Sequence, residues 1–173
     1  LLAGARIHLV NTDPPYNVDY KGSRLGKILA DAEKPEVFQA MLTDAFRAAF
    51  GSMRAGAAFY VCMGWSSYPA LVAAMKDLDV HLANVIVWIK ENATLGWQDY
   101  RYKHELVVRG QNEKAQEPGS QVLYGWKNGD HYFTPIREES DVWFIRKRSA
   151  RDYVHPTQKP IALITRALLN STR

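Results

Sequence analysis

The chain has 173 residues, a net charge of +4, 47% hydrophobic residues and 12% aromatic residues, which is typical of one soluble globular domain. No apolar run reaches the roughly 18 residues that span a bilayer, and the single Cys62 excludes an internal disulfide or a multi-cysteine metal site. The chain does not begin with a signal-peptide pattern, so we expect a cytoplasmic protein. The mildly basic charge suits a polyanionic partner without requiring one.

Strands and helices alternate in the first 109 residues. The predicted strands cover 6–11, 57–63, 82–89 and about 104–108, and the predicted helices cover 36–53 and 68–78. In the first helix the apolar residues that recur at helical spacing are Val37, Ala40, Met41, Ala45, Ala48 and Ala49. This order predicts an α/β fold with a mostly parallel sheet. The last two strands lack a helical crossover between them, so one antiparallel strand is expected.

Residues 110–150 break this rhythm, because they are polar and contain turn pairs such as Pro118-Gly119. We interpret residues 1–109 as a catalytic α/β core and residues 110–150 as an inserted recognition segment with small strands at most. Residues 151–173 are interpreted as a loop and a helix, over 160–169, that return to the core.

The tetrapeptide Asp13-Pro14-Pro15-Tyr16 follows the first predicted strand. Ligands of open α/β sheets bind at the carboxyl ends of strands, so chemistry is expected here. The Asp13 carboxylate and the Pro14 carbonyl can accept the two hydrogens of an aromatic amine, and the two prolines restrict the backbone. Tyr16 offers a flat face on which a base taken out of a duplex can stack. A plain proline turn is the alternative, and the preceding strand and following Tyr-Asn favour the functional interpretation.

The sequence Asp13-Pro14-Pro15-Tyr16-Asn17 resembles the catalytic motif of DNA adenine-N6 and cytosine-N4 methyltransferases. In that family the motif binds the target amine and lies beside the methyl donor. An initial Asp is typical of adenine enzymes and an initial Ser of cytosine enzymes. The resemblance therefore implies methyl transfer from S-adenosylmethionine to the N6 amine of a flipped-out adenine in double-stranded DNA.

A second motif, His155-Pro156-Thr157-Gln158-Lys159-Pro160, precedes the last predicted helix. Lys159 and the first-turn amides of that helix suit a carboxylate or phosphate, and Thr157 can cap the helix. The whole string resembles the segment that holds the methionine part of S-adenosylmethionine in the same family. The cofactor contacts that the resemblance implies are Asp13, His155, Thr157, Gln158 and Lys159.

The acid motif precedes the variable segment and the cofactor-side helix, an order that resembles the beta arrangement of the family. The resemblance implies a Rossmann-like sheet of S-adenosylmethionine-dependent methyltransferases, a DNA partner, no membrane partner and, as an option, a homodimer. Asn17, Lys21 and Arg24 are candidate DNA contacts in and after the acid motif. The histidines are scattered without ligand spacing, so no metal is expected.

The family also has a glycine-rich donor loop of the Phe-x-Gly-x-Gly kind, which does not occur in this sequence. In the beta order this loop follows the last helix, so we expect it beyond Arg173 and interpret the sequence as part of a longer protein. A protein that ended at Arg173 would bind S-adenosylmethionine poorly.

Other classes of protein are alternatives to this one. A nucleoside triphosphatase needs a Gly-x-x-x-x-Gly-Lys-Ser/Thr loop, and the sequence has none. A cytosine-N4 enzyme of the same fold differs only by the tendency toward Ser at the position of Asp13. A non-catalytic DNA-binding remnant stays open, with the missing glycine-rich loop as its support. Enzymes of this fold that methylate a protein glutamine usually have Asn as the first residue of this motif, where this sequence has Asp13.

Overall fold

The computed structural model describes residues 6–19, 29–76, 78–90, 103–109, 124–127, 129–134, 139–146 and 158–172. The strands are β1 (Ile7–Thr12), β2 (Met53–Met63), β3 (Val80–Leu82), β4 (Asn84–Ile89), β5 (His104–Arg109), β6 (Tyr124–Lys127) and β7 (Val142–Phe144). The helices are α1 (Pro35–Gly51), α2 (Tyr68–Met75) and α3 (Ile161–Ser171), and a 3-10 turn covers Trp65–Ser67. Within this described part, no helix is both long and apolar enough to cross a membrane.

The sheet runs in the order β1-β2-β6-β5-β4-β7, with β3 beside β6 and a direct pairing of β2 with β5. The predicted antiparallel pairing of β4 with β5 is confirmed. The prediction of a mostly parallel sheet with one antiparallel strand is wrong, because β6 also runs against β2 and β3. The sheet is therefore mixed. The four residues of β6 lie in the polar segment 110–150. This segment has no alternating apolar pattern, so the sequence did not predict the strand.

Helices cover both faces of the sheet. Phe59 of β2 stacks on Phe50 of α1, with 4.5 Å between ring centroids. The next residue, Tyr60, bonds through its hydroxyl to the Ser171 hydroxyl of α3 at 2.8 Å. Successive side chains of a strand point to opposite faces, so α1 and α3 lie on opposite sides of β2.

The buried face of α1 differs from the predicted one. Its buried residues are Phe38, Leu42, Phe46 and Phe50. Val37, on the predicted face, is 51% exposed. Three phenylalanines and a leucine remove more apolar area from water than the alanines of the predicted face, and burial free energy follows area.

Helix α3 is held against β7 by one cation. The Arg166 guanidinium donates to both carboxylate oxygens of Glu139 at 3.0–3.3 Å and lies 4.9 Å from the ring centroid of Trp143. The Trp143 ring is 1% exposed and lies 6.1 Å from the Tyr60 ring. These contacts orient the middle of α3 relative to the sheet.

A histidine on β3 gives the fold a pH dependence. His81 packs beside Trp126 with 5.8 Å between ring centroids, and burial lowers its pKa from 6.5 to about 4. Between these two values the unfolded chain binds more protons at this residue than the folded protein does. The contribution of His81 to stability is therefore present above about pH 6.5 and is lost as the pH falls toward 4.

We expect His81→Gln to flatten the pH dependence of unfolding. Urea titrations at pH 7.5 and pH 5 give the loss of unfolding free energy on acidification, and this loss should be smaller in the variant than in the wild type. His8→Gln, at an exposed position of β1, is the matched control. Identical losses in wild type and His81→Gln would contradict the prediction.

Candidate active site at the carboxyl edge of the sheet

The two motifs singled out in the sequence meet at the end of β1. The Lys159 ammonium donates to both oxygens of the Asp13 carboxylate at 2.8 Å, across 146 residues of sequence. The Lys159 side chain is 11% exposed and that of Asp13 30% exposed. The pair is partly shielded from water, which strengthens the attraction between its charges relative to an exposed pair.

Tyr16 completes this cluster. Its hydroxyl donates to Asp13 Oδ1 at 2.9 Å, and Lys159 Nζ lies 5.2 Å from its ring centroid. The ring rests on Gly64, the residue after β2, where an added Cβ would come within 3.1 Å of Tyr16 Cδ2. Gly64 therefore lets the aromatic ring approach the backbone closely, and a side chain there would push the ring away.

A buried carboxylate holds the backbone behind Tyr16. Asp31, 3% exposed, accepts the N–H of Tyr16 at 3.1 Å and the N–H of Val18 at 3.4 Å. The Asp31 carbonyl accepts the Asp19 N–H at 2.7 Å, and the Ser67 hydroxyl donates to the Tyr16 carbonyl. The loop after β1 is thus tied at several backbone positions.

Asn17 joins the same loop to the start of α1. Its side chain donates to the Glu33 carbonyl at 3.0 Å and accepts the Glu33 N–H at 2.7 Å. Its backbone adopts a left-handed conformation with φ of 55°, which asparagine tolerates better than most residues. In this structure the Asn17 side chain therefore serves the shape of the loop.

The structure places some of the predicted site residues and not others. Pro14 and Pro15 are half-buried between Asp13 and Tyr16, and Gln158 is half-buried before Lys159. Lys21, Arg24, His155 and Thr157 lie outside the described residues. Asp31, Gly64 and Ser67 were missed, because each is a single residue without a motif and reaches the site only through the fold.

The arrangement combines a carboxylate, an ammonium group and an aromatic face. The carboxylate can accept hydrogen bonds from an amine or pair with a cation, and the ammonium group can pair with an anion. Lys159 also lies just before the first turn of α3, and the amino end of a helix favours negative charge. Among the described residues, no three His, Cys, Asp or Glu side chains are grouped so that they could hold a metal ion.

Solved structures of other proteins share this fold. M1.HpyAVI in complex with SAM superposes with a TM-score of 0.61 at 16% identity, covering 97% of this chain and 68% of that one. A Thermus thermophilus protein, provisionally named a DNA modification methylase and complexed with S-adenosyl-L-methionine, superposes with a TM-score of 0.59 at 18% identity. That match covers 98% of this chain and 70% of the other.

At the level of sequence, the profile of a family described as DNA methylase, the N6 and N4 methyltransferases, matches residues 7–173. This range includes both motifs and every described element of the sheet. The chain belongs to the N6/N4 DNA methylase family.

Proposed function

We propose that this protein transfers a methyl group from S-adenosylmethionine to the N6 amine of adenine in double-stranded DNA. The observation that carries the proposal is the direct contact of Asp13 with Lys159 at 2.8 Å. It joins the motif that resembles an amine-binding site to the motif that resembles a cofactor-binding site. The group that would accept hydrogen bonds from the target amine and the group that would bind the methyl donor are thus neighbours. Transfer of a methyl group between two bound molecules requires this proximity.

Asp13 would position the target amine. Its carboxylate accepts one amine hydrogen, and the Pro14 carbonyl accepts the other, which directs the nitrogen lone pair toward the methyl group. In the present structure the Tyr16 hydroxyl and Lys159 occupy the Asp13 oxygens, so the amine replaces one of these donors. As the amine nitrogen bonds to the methyl group, the bond between the methyl group and the sulfonium sulfur would break to leave a thioether, and the amine would lose one proton. No covalent intermediate with the protein is needed, and positioning with electrostatics supplies most of the rate.

The residues present fit the amino-acid end of the cofactor. S-adenosylmethionine, when bound, supplies an electrophilic methyl group on a sulfonium. Lys159 offers its ammonium group to the cofactor carboxylate, next to the amides of α3, and Asp13 offers a carboxylate to the cofactor ammonium. We also assign His155, Thr157 and Gln158 to the cofactor, and Lys21 and Arg24 to the DNA. Asn17 was the third predicted DNA contact, but its side chain bonds to the Glu33 backbone, so we assign it to the shape of the loop.

Adenine is proposed over cytosine because the motif begins with Asp13. We further propose a Rossmann-like methyltransferase fold, a cytoplasmic location and, as an option, a homodimer. The segment 110–150 is the proposed recognition segment; its described parts contribute β6 and β7 to the sheet.

The test incubates the protein with tritiated S-adenosylmethionine and unmethylated DNA, digests the DNA to nucleosides and separates them. We expect the label in N6-methyladenine. Label in N4-methylcytosine would overturn the assignment from Asp13 while keeping the fold and the site. Cofactor binding without label in DNA would point to another acceptor, and absence of cofactor binding would favour a non-catalytic remnant.

We expect Asp31 to act as a positioning residue in this reaction. Asp31→Ala removes the acceptor of the Tyr16 and Val18 amides, so Tyr16 shifts and turnover falls by roughly 10- to 100-fold. Asp31→Asn keeps a side-chain oxygen acceptor and should retain turnover within a few-fold. The measurement is kcat and KM of both variants, with Asp44→Ala, at an exposed site of α1, as the control. Equal turnover in the two Asp31 variants would contradict this role.

A further inference from the structure

The turn after β2 carries an exposed tryptophan beside the candidate active site. Trp65 is the first residue of the 3-10 turn that leads directly into α2, and it is 59% exposed. Its preceding neighbour, Gly64, lies against the Tyr16 ring. Two residues further on, the Ser67 hydroxyl donates to the Tyr16 carbonyl. Trp65 therefore borders the aromatic ring on which a base taken out of a duplex can stack.

The Trp65 backbone lies further out from the sheet than Asp13. Strands β1 and β2 are parallel, and Thr12 pairs with Val61. Asp13 follows this pair by one residue and Trp65 by four, a difference of three residues along the strand direction. The backbone stays extended as far as Gly64, whose φ and ψ are −72° and 146°. At about 3.3 Å of rise per residue, Trp65 lies about 10 Å beyond the level of Asp13.

The direction of the helical segment points the Trp65 side chain away from the sheet. The segment starts at the carboxyl edge, directly after β2, and α2 returns along the sheet beside α1. Side chains of a helix tilt toward its amino end, which is the end beyond the carboxyl edge. Later residues of the segment, Leu71, Ala74 and Met75, are buried, whereas Trp65 is exposed. The indole therefore projects into the space from which a base reaches Asp13.

A tryptophan in this place suits a gap in a stack of bases. A base that is extruded from a duplex leaves the faces of its neighbouring bases without a stacking partner. An apolar or aromatic side chain that inserts between base steps covers such faces, and stacking of a base on an aromatic ring contributes about 1–3 kcal/mol. The gap left by a base in the Asp13 site lies on the outer side of that site, where Trp65 is exposed.

We propose that Trp65 inserts into the gap that the extruded base leaves in duplex DNA and stacks on the neighbouring base. The duplex and the extruded base come from the proposed function, on which this inference rests. Tyr16 and Trp65 then have separate roles, since Tyr16 stacks on the target base and Trp65 takes the former place of that base. Every base has an aromatic face, so this contact stabilises the extruded state without reading sequence.

The test measures binding of two fluorescein-labelled duplexes by anisotropy, without methyl donor. Both have the same sequence, and one has a single abasic site in the middle of one strand. The abasic site is a permanent gap, so we expect the wild-type protein to bind this duplex more tightly than the intact one. Trp65→Ala should weaken binding of the abasic duplex by about 10-fold. It should change binding of the intact duplex by less than about two-fold, because phosphate contacts dominate there.

Two matched variants accompany Trp65→Ala. Trp65→Phe keeps an aromatic face and should retain most of the preference for the abasic duplex. Phe144→Ala removes another exposed aromatic side chain, 76% exposed, from the strand at the far end of the sheet, and should bind both duplexes like the wild type. Thermal denaturation checks that each variant is folded. If Trp65→Ala does not fold, Trp65→Leu replaces it, because leucine keeps apolar volume without an aromatic ring.

The results separate this inference from the proposed function. An unchanged preference in Trp65→Ala, an equal loss in Phe144→Ala or a wild type without preference would overturn the role of Trp65 and leave the proposed function intact. The same holds for a loss in Trp65→Ala that is equal for both duplexes, since that result describes a general DNA contact. A wild-type protein that binds neither duplex would overturn the DNA substrate and the role of Trp65 together.

Discussion

Replacing Asp13 with Ala is expected to lower turnover by about 10²- to 10³-fold, the cost of removing one group that acts on the reacting atoms. The variant loses the acceptor that orients the target amine. It also leaves Lys159 without the carboxylate that it contacts at 2.8 Å through both oxygens. Single-turnover rates with the cofactor at saturation measure the chemical step apart from any change in cofactor affinity.

Two further variants complete this test. One separates the loss of the hydrogen-bond acceptor from the loss of the negative charge, and the other is a control. Asp13→Asn keeps an oxygen acceptor but loses the charge, and should fall between Asp13→Ala and the wild type. Asp44→Ala, at an exposed position of α1, should retain near-normal turnover. Near-normal turnover in Asp13→Ala would rule out the mechanism, whatever the stability of that variant.

Gly56→Ala is expected to lower the free energy of unfolding by about 2–4 kcal/mol. Gly56 has a φ of +71°, in the region that favours glycine, and an added Cβ would overlap the carbonyl of Asp130. The β1–β2 register shifts between Ile7 and Leu9, so Gly56 lies at an irregularity of β2. The clash is with backbone, and a rotamer change therefore does not relieve it.

The matched control for this prediction is Gly51→Ala at the end of α1. An added Cβ at Gly51 meets no heavy atom within 4 Å, and alanine is favoured over glycine in helices. Urea titration should show unchanged or slightly higher stability for Gly51→Ala and a clear loss for Gly56→Ala. Equal stability of the two variants would show that the backbone around Gly56 relaxes freely.

The strand and helix order could be predicted from the sequence because the signals are local. Apolar periodicity over 6–11, 36–53 and 104–108 marked β1, α1 and β5, and proline and glycine marked the breaks between them. Asp13 and Lys159 were recognised for the same reason, since each belongs to a short contiguous motif. The chemistry of an amine acceptor and of an anion-binding cation follows from residue types alone.

The tertiary structure decided which of these signals lie together. The buried face of α1, the reversal of β6 and the contact between Asp13 and Lys159 all depend on residues distant in sequence. Asp31 accepts the N–H of Tyr16 from 15 residues away, and Ser67 donates to the Tyr16 carbonyl from 51 residues away. No local pattern encodes either contact. Packing selects such contacts by the apolar area buried and the polar groups satisfied over the whole fold, and a single sequence shows neither quantity.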